Sequence, residues 1–229
     1  VKWINNIDMP LRDMILQSEH IYLNRNEYVK YLNPVSYNAD RLIRELKDQY
    51  PLHRFHRLAP ILTQQRLIKQ KEEIELMQKA CDITGAAFKR VLSVVKPGVA
   101  EYEVEAEMTH EFIRQGARGH AYAPIVGSGK NALVLHYIEN SGTCKDGDLL
   151  LMDFGAEYGN YAADCSRTIP VNGKFTDRQK QCYEAVLRVQ KKATKLFVPG
   201  NSIDKVNKEV WKMMEQEMIS LGLFSREDV

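Results

Sequence analysis

The sequence predicts an α+β fold, with helices on either side of a strand-rich stretch. Three observations carry that prediction. From about Arg66 to Gln115, and again after Lys174, apolar residues recur at steps of three and four, the period of one helix face. Between them, from Tyr122 to Val171, glycines and β-branched residues replace that period with strand and turn signals. The 229 residues are 44% hydrophobic and 27% charged, the balance of an ordinary globular chain. The 32 Lys+Arg against 30 Asp+Glu leave a net charge of +2. That balance gives nucleic acid or an anionic membrane no hold as main partner. No apolar run approaches the roughly 18–20 residues of a membrane span.

Taken in order, residues 1–65 read as short elements broken by Pro10, Pro34, Pro51 and Pro60. His20–Leu23 is a strand. Asp40–Tyr50 is a helix with Leu42, Ile43 and Leu46 on one side, stopped by Pro51. His53–Leu58 is a second strand. This is too little apolar material for its own core, so it reads as the end of a preceding domain plus a linker. Ile74, Met77, Cys81, Thr84, Phe88, Val91 and Val95 then mark one face of a long helix, ended by Lys96-Pro97-Gly98. A second helix, Glu101–Gln115, turns Val104, Met108 and Phe112 inward and stops at Gly116. After the strands, Thr176-Asp177-Arg178-Gln179 has capping-box form and opens a helix carrying Cys182, Val186, Val189, Ala193 and Leu196. Val198-Pro199-Gly200 ends it, and Ser202 caps the next, which carries Val206, Val210 and Met214.

The two helix pairs resemble each other. Gly98 precedes Val104 by the same interval as Gly200 precedes Val206. A Pro-Gly pair is also a generic helix stop. If the repeat is real, the first copy is helix, helix, sheet, and the second lacks its sheet. With Val1 at the start instead of Met, the expectation is a chain cut at both ends. The four cysteines are widely spaced with no CxxC pair. They fit reduced thiols in a cytoplasmic protein better than disulfides or zinc.

The most informative stretch runs from Asp148 to Pro170. Two apolar arms flank Tyr158-Gly159, which reads as a hairpin turn. That turn sets Asp153 directly opposite Asp164. A turn at Gly159-Asn160 makes them diagonal neighbours on one face, and a three-residue loop puts them on opposite faces. Opposed residues have Cβ atoms about 5 Å apart, so two like charges there need a shared proton or a divalent cation. Spacing alone leaves a second reading open, two solvated aspartates on the open side of a sheet.

His136 lies in an apolar run read as a strand, where it is either a satisfied rim residue or a proton donor or substrate clamp. Gly127–Asn131 looks like a phosphate loop, but it lacks the GxxxxGK[ST] spacing and opens no helix. His53 and His56 point to opposite faces of a strand and make no ligand pair. Met213, Met214 and Met218 read as core packing.

Together, Val126–Asn131, Leu135-His136-Tyr137, Gly147–Asp153 with Phe-Gly-Ala, Asp164–Pro170 and Gly173–Thr176 resemble the pita-bread metallopeptidases, and most of all aminopeptidase P and prolidase. The resemblance covers about residue 59 onward. It implies a pita-bread catalytic domain over 66–229, incomplete, preceded over 1–65 by the tail of an N-terminal α/β domain. It implies a dinuclear metal centre, usually manganese, with five protein ligands, of which Asp153 and Asp164 match the first two. The other three, a His and two Glu, have no counterpart in this chain. His136 matches a substrate-contacting histidine that is not a ligand, and Tyr122 is a second substrate contact. The implied reaction is release of an N-terminal residue that precedes proline, by attack of a metal-bridged hydroxide. A dipeptidase specific for Xaa-Pro and a non-catalytic binding domain are the alternatives. The implied partners are proline-containing peptides, and the resemblance allows a homodimer. With two of five ligands, the chain by itself is expected to be inactive.

Overall fold

In a computed structural model, residues 7–28 and 35–225 are described. The chain falls into two units, Val1–Ile74 and Glu75–Val229.

The first unit runs α1 (Asp8–Leu16), β1 (His20–Leu23), α2 (Asn38–Gln49), β2 (Arg54–Arg57) and α3 (Ala59–Leu67). β1 and β2 pair in parallel, His20 opposite Arg54 through Leu23 opposite Arg57. Parallel strands need a crossover, and α2 supplies it. Pro51 ends α2, as expected, and Pro34 lies outside the described residues. Pro10 and Pro60 do the opposite of what the sequence reading assigned: each sits in the first turn of a helix, α1 and α3. There proline's missing N–H costs nothing and its fixed φ favours the helix. Among the described residues of this unit, only Ile15 and Leu46 are buried apolar side chains.

The second unit takes up α4 (Lys71–Val91) from Glu75 onward, and α4 and α5 (Glu101–Arg114) precede six strands. These are β3 (Gly119–His120), β4 (Ile125–Ser128), β5 (Leu149–Phe154), β6 (Ala156–Tyr158), β7 (Tyr161–Ala162) and β8 (Cys165–Pro170). They form two antiparallel three-stranded sheets, β3-β6-β7 and β4-β5-β8. The core lies between the helices and one face of the second sheet. Ile83, Val91, Val104, Met108 and Phe112 meet Val126, Leu150, Met152 and Phe154 there. Removing each such side chain from water contributes about 1.5–3 kcal/mol.

The inward face of α5 is the expected one, and that of α4 is so only in its later part, where Thr84 and Val91 are buried and Phe88, with Val95 beyond the helix end, packs against the core. The buried residues of α4 are Ala80, Ile83, Thr84, Ala87 and Val91, while Ile74, Met77 and Cys81 are exposed. The alanines let the helix lie close, and counting only large apolar side chains passes over them. Thr84 ties the helix to the strands, its hydroxyl accepting the Ala156 N–H at 2.9 Å.

After the sheets, Thr176 caps α6 (Asp177–Thr194) in a complete capping box with Gln179. Ser202 caps α7 (Ile203–Ser220) through the Lys205 N–H. Gly98 and Gly200 take φ +95° and +88° in equivalent connectors, and Val104 and Val206 are both buried. The two helical pairs thus repeat in backbone as well as in sequence. Met213, Met214 and Met218 are half-buried on α7, outside the main core.

Candidate functional site

β5 has the alternation of a strand covered on one side. Leu150, Met152 and Phe154 face the helices, and Leu149, Leu151 and Asp153 face away. β8 returns beside it, Phe154 opposite Cys165 and Asp153 opposite Ser166. The same register continues beyond a short break, with Glu157 opposite Ala162 and Tyr158 opposite Tyr161. The turn is therefore Gly159-Asn160, not Tyr158-Gly159. Both residues have positive φ, +58° and +67°, as a two-residue hairpin turn matching strand twist requires. The Glu157 carboxylate accepts the Asn160 N–H at 2.6 Å. Asn tolerates the left-handed region and Tyr does not, which is why the turn falls one residue later.

In this register Asp153 and Asp164 share a face as diagonal neighbours rather than as an opposed pair. Gly155 makes the break possible. A Cβ there would lie 1.8 Å from the Ala163 carbonyl oxygen, so only glycine lets the two arms approach so closely at the carboxylates.

Tyr122, three residues before β4, reaches both aspartates. Its hydroxyl donates to Asp153 Oδ1 at 2.6 Å and lies 3.2 Å from Asp164 Oδ1. One proton cannot satisfy both, so the short bond goes to Asp153. Burial, the Asp153 hydrogen bond and the two carboxylate charges push the phenol far above its usual range. It stays a neutral donor. Asp153 is half-buried and Asp164 exposed. The second oxygen of each accepts no hydrogen bond from the described residues, and no third His, Cys, Asp or Glu joins them there. Two adjacent carboxylates with free oxygens are a donor set suited to a hard divalent cation. On the same sheet face, a cleft of about 540 Å³ extends between Leu149, Leu151 and Thr168 and the α6 side chains Tyr183 and Val186.

His136 is not in a strand. β4 leads into a 3-10 helix, Gly129–Leu133, and His136 follows in a turn with φ +55°. Its apolar neighbours Leu133, Val134, Leu135 and Ile138 are exposed and Tyr137 alone beside it turns inward, so the run lacks the alternating buried face of a strand. No hydrogen bond joins the His136 ring to Tyr122, Asp153 or Asp164. The structure joins those three by hydrogen bonds, and His136 stands exposed on its own turn. The expectation that Gly127–Asn131 opens no helix is also corrected by the 3-10 turn. Phosphate still does not suit it: the Ser128 N–H is taken by the Glu101 carboxylate, and the Asp148 carboxylate crowds Gly129. His53 and His56 do not converge. His53 bonds the Ile15 carbonyl, and His56 meets His20 instead.

Sequence reasoning passed over Glu101, which is fully buried at the start of α5. Its carboxylate accepts the backbone N–H groups of Ser128 and Gly142 at 2.7 Å each, the Tyr137 hydroxyl at 2.8 Å and the Asn131 amide at 3.0 Å. Burial alone would raise its pKa, but these donors outweigh it and hold the group below the usual carboxylate range. Asn140, also missed, is buried at φ +45°. It accepts the Val126 N–H and donates to Glu105 and to the Pro124 carbonyl.

Residues 75–227 match metallopeptidase family M24. Over 164 residues the chain is 46% identical to an Xaa-Pro aminopeptidase of Haemophilus influenzae, covering 72% of this chain and 38% of that protein. It is 31% identical to Xaa-Pro aminopeptidase 3 of Dictyostelium discoideum, over 97% of this chain and 44% of that one. The chain thus spans less than half the length of these curated relatives. Among solved structures it matches proline aminopeptidase P II of Yersinia pestis, with TM-score 0.84, 36% identity, and 96% of this chain against 51% of that one. It also matches a zinc-substituted E. coli aminopeptidase P in complex with product, with TM-score 0.83, 36% identity, and 96% of this chain against 50% of that one. A fold shared over nearly the whole chain at this identity, together with a family match across the second unit, shows that the chain belongs to metallopeptidase family M24 and carries its pita-bread fold.

Proposed function

We propose that the protein of which this chain forms part is an Xaa-Pro aminopeptidase, releasing the first residue of peptides with proline in second place. The observation that carries the reading is the convergence of Asp153 and Asp164 on the Tyr122 hydroxyl. It lies within a stretch matched to relatives named for that activity. Asp153 and Asp164 would hold divalent metal, for which we propose manganese. Such metal supplies, when bound, an acidified water and a polarised carbonyl. The remaining roles fall to the chain's own groups. Tyr122 stays protonated and donates toward the carboxylates, fixing the oxygen of Asp153 that it holds. His136, exposed on its turn, contacts the substrate near the proline, whose tertiary amide offers no N–H for recognition. Four free thiols support a reducing, cytoplasmic setting.

Two aspartates alone do not complete a dinuclear centre, so the 229-residue chain by itself is expected to release no residue. The test is Mn²⁺-dependent hydrolysis of an Xaa-Pro-Yaa tripeptide and an Xaa-Pro dipeptide by the full-length protein, with Asp153→Ala and Asp164→Ala as controls. Tripeptide cleavage abolished in both controls supports the proposal. Cleavage of the dipeptide alone overturns it in favour of a dipeptidase. A full-length protein that cleaves neither substrate removes the catalytic reading.

A further inference from the structure

We propose that Glu101 and Tyr137 form a buried anchor that sets the position of His136, so that both are positioning residues for that histidine. The inference rests on the reading of His136 as a substrate contact. The segment from Ser128 to Gly142 stands out from the sheet. Leu133 and Leu135 are each 85% exposed, and Tyr137 is 8% exposed. Tyr137 is the inward-pointing side chain beside His136, and its hydroxyl donates to Glu101. The same hydroxyl accepts the Ser141 N–H at 3.1 Å and the Asn131 amide at 3.0 Å. Glu101 in turn takes one backbone N–H from each end of the segment, Ser128 and Gly142. A single carboxylate therefore closes both ends of the loop and grips its middle.

The anchor is fixed to the body of the domain, because Val104, Met108 and Phe112 hold α5 in the core. His136 sits at φ +55°, a conformation that a non-glycine residue keeps when its surroundings determine it. The next residue, Tyr137, provides that constraint. The site also requires an anion. Four donors converge on two oxygens, and a neutral amide at position 101 would turn its NH₂ against one of them.

The test uses Tyr137→Phe, which keeps the ring and removes the hydroxyl, since Glu101→Gln risks unfolding the chain. In the isotope-labelled 229-residue chain, the His136 ring resonances shift or broaden. Exchange of the Ser141 amide quickens about tenfold. Val206→Ala, at a buried position of α7, lowers stability and leaves the His136 signals in place. In the full-length enzyme, Tyr137→Phe lowers kcat/KM while metal content is unchanged. If His136 responds to Tyr137→Phe but His136→Ala leaves kcat/KM intact, the anchor holds and the substrate-contact reading falls. If the His136 resonances and Ser141 exchange match the wild type, the anchor is wrong whatever the activity.

Discussion

Replacing Gly155 with Ala tests whether the carboxylate hairpin is held by backbone contact. The added Cβ would lie 1.8 Å from the Ala163 carbonyl oxygen and 2.6 Å from its carbon. Carbon–oxygen contacts normally exceed about 3 Å, so one strand must move by more than about 1 Å in a close-packed region. The obstacle is main chain, so no side-chain rotation relieves it. Movement there strains two backbone bonds, Ala121 N–H to the Gly155 carbonyl at 2.8 Å and Ala163 N–H to the Ala156 carbonyl at 3.0 Å. With about 1–3 kcal/mol for each buried group left unpaired and a similar cost for overpacking, the expected loss is at least about 3 kcal/mol. Gly85→Ala is the matched control. It lies within α4 and has nothing within 4 Å of its would-be Cβ, so the same chemical change there should stabilise by about 0.5–1 kcal/mol. Urea unfolding of the two variants beside the parent should move the midpoints in opposite directions. A Gly155→Ala midpoint equal to the parent's would refute the close-approach argument.

Tyr122→Phe removes the hydrogen bond to half-buried Asp153 and should cost about 1–2 kcal/mol; a double-mutant cycle with Asp153→Asn should show coupling of at least about 0.5 kcal/mol, and additivity would show that the contact contributes nothing. Stability should fall with acid in two steps. His120 is held neutral by burial, partly offset by Glu105, so its contribution is whole above about pH 6.5 and erodes as pH drops below that value. The depressed Glu101 carboxyl adds stability above its unfolded pKa of about 4.3, which is lost as pH falls through the lower folded value. His120→Gln should flatten the first step of an unfolding-free-energy profile from pH 7 to pH 3 and leave the second; a first step that persists in the variant would place its origin elsewhere. Thr176→Ala breaks the capping box of α6 and should lower stability by about 1 kcal/mol in the same denaturation assay.

What the sequence made legible was local. The strands His20–Leu23 and Arg54–Arg57, the inward residues of α5 and the caps at Thr176 and Ser202 each depend on neighbours within a few positions. The proximity of Asp153 and Asp164 was also legible, because a hairpin of fixed register couples residues eleven apart through one turn. The turn itself was misplaced by one residue, since apolar patterning does not weigh the positive φ that Asn160 can adopt and Tyr158 cannot. The first part of the inward line of α4, Ile74, Met77 and Cys81, was misread for a related reason. Burial there is decided by how closely Ala80 and Ala87 let the helix approach, not by where its largest apolar side chains fall.

Glu101 marks the point where local reading fails. In sequence it is an ordinary acid in the first turn of a helix, where it complements the exposed N–H groups and the helix dipole. Glu103 has the same type and nearly the same setting, and does behave that way, accepting the Ala100 N–H. What separates the two is tertiary. The partners of Glu101 lie 27 to 41 residues away along the chain, and its burial is complete. A fully buried carboxylate is tolerated only if every donor around it is supplied. Once the fold brings those donors together, removing one costs more than that one bond, because the charge remains. This coupling makes the His136 turn rigid, and it exists only after β4, the 3-10 turn and α5 have packed.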